Sequence, residues 1–179
     1  MLVVNEEGAS GNGHVSLFVQ DADGAWHYFS FASGRRDSFT VVASVLGFSV
    51  KGEITYKEIG TADGYDLTTF DGFRNFLTDS EQVPTTASEM DHAVYITGDF
   101  SDSFTKAKEL YDRQSNRWAY FIRKKYNLLG YNCMHFAIDM LCYSEDFYDG
   151  HEWLRFQYGF NIIPNNNIEN LKSLGAELK

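Results

Sequence analysis

Only two cysteines occur in the 179 residues, and their spacing excludes more than it offers. Cys133 and Cys142 stand nine apart in a stretch that reads as one helix. Nine helical residues rise about 13 Å, and a disulfide needs Cα atoms within about 7 Å, so the pair cannot bridge. Four-cysteine zinc spacing is also absent. Both are therefore expected to be free thiols, structural or catalytic. Positive charge is scarce as well: 15 Lys and Arg stand against 25 Asp and Glu, for a formal net charge of −10. Such a surface repels phosphate backbones and anionic headgroups, which sets nucleic acid aside as a partner. No apolar run reaches the roughly 18 residues of a membrane span. Residues 1–13 lack a basic stretch followed by an apolar one, so no signal peptide is expected there.

What is abundant is apolar and aromatic. Apolar residues make up 44% and aromatics 16%, with 15 Phe and 11 Tyr. That supports a buried core, excludes disorder, and suits either packing or a greasy cleft. The length fits one domain. Residues 1–13, rich in Gly, Ser, Asn and Glu, read as a flexible lead-in, and 14–179 as the domain. His14–Val19 and Trp26–Phe31 read as a hairpin about the turn Asp21-Ala22-Asp23-Gly24. Two β-rich stretches follow, Phe39–Phe48 and Glu53–Ile59. Asp71–Thr78 has Phe73, Phe76 and Leu77 on one helical face, and 79–91 is a polar loop. His92–Thr97 is a further strand. A long helix starts at a Ser101 or Ser103 cap and runs to about Tyr126. Its inward stripe is Phe104, Ala107, Leu110 and Tyr111. Lys106, Lys108, Arg113 and Lys124 are its solvated charges. Tyr126–Asn132 is a turn, Cys133 opens the next helix, and Pro164–Asn167 turns into a final short helix. Strands followed by helices make the class α+β.

Two residues stand out chemically. Cys133 follows Gly130-Tyr131-Asn132 at a helix start, where unpaired N–H groups favour thiolate and can hold an oxyanion. Cys133, Phe136, Ala137, Met140 and Leu141 share one face, which turns the sulfur toward the sheet. Cys142 lies off that face and reads as structural. Of five histidines, His14 opens a strand directly after Gly11-Asn12-Gly13, a reachable and rigid place for a base. His135 points about 200° away from Cys133 around the helix, so it is not the base. Asp91 and His92 imitate an acid–base pair, yet adjacent strand residues point to opposite faces. Glu145, Asp146, Asp149, His151 and Glu152 fit no metal-loop spacing and read as a solvated loop.

Gly13-His14-Val15-Ser16-Leu17, followed about 120 residues later by Tyr126-Asn127-Leu128-Leu129-Gly130-Tyr131-Asn132-Cys133-Met134-His135-Phe136, resembles the circularly permuted papain-like cysteine enzymes. This NlpC-type group places His before Cys. Asn132-Cys133-x-His135-Phe136 is similar to the nucleophile motif of lecithin:retinol acyltransferase and its phospholipid-acting relatives. A closer likeness is to C-terminal toxin domains of Rhs-type bacterial polymorphic toxins. Those share the Gly-His strand, a Gly-aromatic hairpin, a strand like His92–Thr97 and the Asn-Cys turn. They also share a closing Pro-Asn-x-x-Ile-x-Asn, here Pro164–Asn170. The likeness spans about 11–172, with 37–90 unmatched as a candidate insertion.

The resemblance implies a permuted papain-like fold, an antiparallel sheet packed against a nucleophile-bearing helix. It implies Cys133 as nucleophile, His14 as base, a thioester intermediate and no metal or cofactor. The oxyanion would rest on the Cys133 N–H with a contribution near Asn132. The substrate is an acyl lipid, as for a phospholipase, or alternatively a peptide, isopeptide or peptidoglycan amide. The likeness further implies an effector made within a larger secreted chain, delivered into a target cell and matched by a cognate immunity protein. For the orienting residue some relatives use a second His, which points to His27; Ser33 or a backbone carbonyl are the alternatives. With the turn at Asp21–Gly24, Gln20 faces Ala25, His14 faces Phe31 and His27 faces Phe18. His27 then shares His14's face but lies four positions along, roughly 13 Å away. A different class stays open: a binding module without catalysis, in which Cys133 is an unreactive buried hydrophobe.

Overall fold

The structure, a computed structural model, describes residues 1–8, 13–34, 50–80, 90–114, 125–126, 131–151 and 164–179. Its strands are β1 Leu2–Asn5, β2 His14–Gln20, β3 Trp26–Ser33, β4 Val50–Gly60, β5 His92–Tyr95, β6 Lys125–Tyr126 and β7 Ala176–Glu177. They form one sheet in the order β6-β4-β3-β2-β1-β5-β7, every pairing antiparallel. The helices are α1 Phe70–Asp79, α2 Ser101–Gln114, α3 Cys133–Leu141, α4 Glu145–His151 and α5 Ile168–Lys172, the last entered through a 3-10 turn at Pro164–Asn167. The class is α+β, as the order of strands and helices predicts.

The sheet has a core on each face, and side-chain alternation decides which residue enters which. On one face Leu2, Val4, Val15, Leu17, Val19, Phe29 and Phe31 pack with Cys133, Phe136, Ala137 and Met140 of α3. On the other, Met1, Val3, Phe18, Trp26 and Tyr28 pack with Phe73, Phe76 and Leu77 of α1. The predicted inward stripe of α2 is also observed: Ala107 is buried, and Phe104, Leu110 and Tyr111 pack on the α3 face. Lys106 and Lys108 pair along that helix with Glu109 and Asp112.

Four expectations change. Residues 2–5 are a strand, not a lead-in: β1 lies between β2 and β5, with Leu2, Val3 and Val4 buried on both faces. A strand buried on both faces shows a continuous apolar run without alternation, which the polar residues after it disguise. The second change is at the far end of the long helix: among the described residues α2 covers Ser101–Gln114, and Lys125–Tyr126, expected as its last residues, pair instead with Val50 and Lys51. The Gln114 carboxamide takes both main-chain groups of Ile54, at 2.8 and 2.6 Å, standing in for a strand partner on β4. The third is that Glu145–His151 is a helix, because Ser144 caps it by accepting the Phe147 N–H at 3.4 Å. The fourth is the hairpin register, which pairs Gln20 with Trp26, Val19 with His27 and Ser16 with Ser30. That is one residue from the expected pairing, and a one-residue slip exchanges faces.

Within the unmatched region 37–90, β4 pairs along β3 from Trp26↔Gly60 to Ser33↔Gly52, and α1 forms as predicted. The stretch Phe39–Phe48, the loop at 81–89, Lys124, residues 127–130 and Glu152 lie outside the described residues.

Candidate active site

The nucleophile candidate begins α3. Asn132 is its N-cap, in extended conformation, with Oδ1 accepting the Met134 N–H at 3.0 Å and the His135 N–H at 3.3 Å. Asn132 is fully buried, and its Oδ1 also lies 3.0 Å from His135 Nδ1. The structure thus places Asn132 as the cap that fixes the start of α3. His135 belongs to this cap and leans on Tyr131, as its angle around the helix requires.

The cap holds the Cys133 sulfur against β2. The Val15 N–H donates to Sγ at 3.4 Å, a contact across 118 residues of chain. The contact exists because the β2–β3 ladder ends at Ser16↔Ser30, leaving the Val15 N–H to a partner outside that ladder. Val15 N is about 2.4 Å from the His14 Cα along the chain, so the sulfur lies within roughly 6 Å of that Cα. Three backbone N–H groups, those of Val15, Met134 and Cys133 itself, favour the thiolate. Burial outweighs them: Cys133 is wholly enclosed, and its thiol is pushed up to about 11. Cys142 is the C-cap of α3, buried and in no disulfide.

His14 sits beside this contact but turns its ring the other way. On β2, Val15, Leu17 and Val19 face α3, so His14 shares the opposite face with Ser16 and Phe18. Its Nε2 lies 2.7 Å from Ser30 Oγ, crossing from β2 to β3 at the end of their ladder. The structure therefore joins Cys133 to the main chain beside His14, and joins His14 to Ser30.

Ser30 is the residue the sequence reading missed. It is buried, and it is the diagonal cross-strand neighbour of His14 on the same face. The signal was the hairpin register alone: shifting the pairing by one residue exchanges Phe31 for Ser30 as the side chain within reach.

The two earlier orienting candidates go elsewhere. His27 pairs with Val19, so it lies on the α3 face, not on His14's face as the expected register had it. There it is four residues from Val15, about 13 Å along the strand. Its Nε2 meets Asp21 Oδ2 at 2.9 Å, its Nδ1 meets the Tyr56 hydroxyl at 3.1 Å, and its ring lies on Phe104. The hydrogen bond to His27 holds the Asp21 carboxyl below its ordinary range. Ser33, the last residue of β3, pairs with Gly52 and by alternation shares the face of Phe29 and Phe31.

Asn132→Ala is expected to cost about 1–2 kcal/mol, the loss of a helix cap whose N–H partners are left buried. Chemical denaturation at unchanged m-value checks it. A loss under a few tenths of a kcal/mol would mean the cap does not hold α3.

Fold and site together define an α+β protein in which a capped helix start presses a free thiol against the first residues of a central strand. No family model, curated protein or solved structure matches the chain. Among the described residues, no three His, Cys, Asp or Glu are grouped to hold a metal, and no helix is long and apolar enough to cross a membrane.

Proposed function

We propose that the chain is a cysteine-dependent acyl-transfer enzyme of permuted papain-like type, with Cys133 as nucleophile, His14 as base and Ser30 as the residue that orients His14. One observation carries this reading: the Val15 N–H on the Cys133 sulfur, which brings together the two motifs that lie 118 residues apart. In the tautomer where Nε2–H donates to Ser30, the lone pair of His14 is on Nδ1, the nitrogen nearer the main chain. In this reading the imidazole has to reach the sulfur around the end of the β2–β3 ladder, where pairing stops at Ser16↔Ser30.

The chemistry then balances without a metal or cofactor. His14 takes the thiol proton as the sulfur bonds to the acyl carbon, and the oxyanion rests on the N–H of Cys133. The acyl C–O bond breaks, or C–N in an amide, and the leaving group takes the proton from His14. Water attacks the thioester, returns a proton through His14, and releases the acid and the thiol.

The acyl donor in this reading is a lipid ester, with an amide as the alternative. Incubating the protein with phospholipid vesicles or with cell-wall peptides, and weighing the intact chain by mass spectrometry, tests both. An acyl adduct on Cys133 with turnover of one substrate is expected. A chain unchanged in mass and two unchanged substrates would end the proposal. A role as a delivered toxin countered by an immunity protein rests on the motif likeness.

A second reading, a binding module without catalysis, is favoured by one observation: the sulfur is enclosed and its thiol is raised. Alkylation in a Cys142→Ala background separates the two. An enzyme is expected to speed up markedly when its acyl substrate is present. A module shows the same slow rate throughout, rising only toward pH 11.

A further inference from the structure

Alternation along β2, β3 and β4 puts a row of hydroxyls on the sheet face turned away from Cys133. Ser16 pairs with Ser30 and Ser30 with Thr55, so the three stand side by side across three strands, each about 5 Å from the next. Their strand neighbours Val15, Leu17, Phe29, Phe31, Ile54 and Tyr56 all pack on the Cys133 side, which leaves the hydroxyls on the other. α1 covers part of that other face, through Phe18, Trp26 and Tyr28. The row lies beyond them, toward the end of the ladder where His14 enters.

The main chain seats His14 against this row. Its Nε2 lies 2.7 Å from Ser30 Oγ. Asn5 pairs with His14 across β1, and the Asn5 carboxamide accepts the Gly8 N–H at 2.8 Å. The Gly13 N–H donates to the Gly8 carbonyl at 3.0 Å. Gly8 is thereby pressed on His14: a Cβ added to it would stand 2.5 Å from the His14 Cβ, well inside carbon–carbon contact. A hydroxyl within hydrogen-bond reach of a rigidly held imidazole is the arrangement by which a base activates a nucleophile. Access also favours this pair. Ser30 is 6% exposed where Cys133 is 0%, and its neighbours open outward, Thr55 exposed and His14 half-buried.

We propose that Ser30 is a second nucleophile of this chain, served by His14 and acting on a small polar ester. The hydroxyl row offers hydrogen bonds to such a substrate and no apolar wall for a fatty chain. The pair does not rest on the thioester route. It uses the other tautomer of His14, with the proton on Nδ1, so that Nε2 accepts from Ser30. As Oγ bonds to the ester carbon, its proton passes to Nε2. The Thr55 hydroxyl, one strand spacing away, donates to the oxyanion. The C–O bond to the leaving alcohol breaks, and the alcohol takes the proton from His14. Water then attacks the acyl-Ser30 ester and gives a proton to His14, and the acid leaves as that proton returns to Oγ.

The test uses the full chain carrying Cys133→Ser, so that the thiol takes no part. It is incubated with an alkyl fluorophosphonate, which phosphonylates a base-activated serine with loss of fluoride, and the adduct is located by peptide mass spectrometry. One adduct is expected, on Ser30, absent when the same chain is unfolded in urea. Adding His14→Gln, which keeps a hydrogen-bonding side chain of similar size, is expected to slow labelling by about 10²-fold or more. No adduct, an adduct elsewhere, equal labelling in urea, or an unchanged rate in His14→Gln would overturn the proposal. A contact that only braces the sheet gives the first of these results. An acyl adduct on Cys133 of the unsubstituted chain, with Ser30 unlabelled, would remove this proposal and leave the thioester reading. The reverse pattern would remove the thioester reading and leave this one.

Discussion

Cys133→Ser is expected to lower acyl-transfer kcat/KM by on the order of 10³-fold or more, with almost no change in melting temperature. The two halves of this result have different causes. Serine Oγ is a far weaker nucleophile than a cysteine sulfur, so the proposed thioester route closes. The same oxygen still accepts a hydrogen bond from Val15, so the packing of α3 on β2 survives. Cys133→Ala is expected to lose the same activity and a further ~1–3 kcal/mol of stability, because the buried Val15 N–H is left without its acceptor.

The sign of the pH effect follows from the direction of the thiol's shift. A thiol held near 11 in the folded chain ionises at about 9 when unfolded. Its contribution is complete below pH 9 and is lost as pH rises from 9 toward 11, an amount of roughly 2–3 kcal/mol. Cys133→Ser lacks that loss, so the stability difference between the two proteins narrows or reverses across this window. Tyr131, also raised by burial, affects both proteins alike and drops out of the comparison; Tyr126 is raised by burial first and by the Cys133 charge second, and only that second, smaller part differs between the two. Acyl transfer that persists in Cys133→Ser with vesicles or peptides would sink the nucleophile assignment. An equal alkaline decline in both proteins would sink the account of the buried thiol.

The largest structural effect is expected from deleting residues 1–6, which should leave a chain with no cooperative melting transition. β1 fills the sheet between β2 and β5, and its removal strips the ladder from both neighbours. Leu2, Val3 and Val4 are each almost wholly buried. At about 1.5–3 kcal/mol per buried apolar side chain, they contribute roughly 5–9 kcal/mol. Whole-domain stability is only about 5–15 kcal/mol, so that loss takes most of it. Near-UV circular dichroism with heating is the measurement. A sharp transition within a few degrees of the full chain would show that the sheet closes without β1. Val4→Asp is a milder check in a chain of full length, since it places a charge among Val15, Leu17 and Val94.

Where local chemistry dominated, the sequence was legible. The helix beginning at Cys133, the Asn132 turn before it and the inward stripe of α2 all follow from spacing and capping, which act within one turn. The α1 face of Phe73, Phe76 and Leu77 was equally plain. The contact of the Cys133 helix with the His14 strand was reached through motif likeness, since nothing local joins positions 118 apart. β1 was missed because its two-faced burial leaves no alternation to detect. Ser30 was missed because the hairpin signal locates a turn but does not fix the pairing to the residue.

By itself, then, the sequence determined the hairpin strands, α1, the helix opening at Cys133, the class, the lack of a disulfide between its two cysteines and the candidates for cysteine chemistry. Each of these depends on neighbours within a few positions or on composition. Only the tertiary structure decided which face each side chain enters. It set His14 against Ser30, His27 against Asp21 and Tyr56, and the Cys133 sulfur on the Val15 amide. The physical reason is the two-residue period of a strand: one step of register, costing nothing locally, carries a side chain from one side of the sheet to the other.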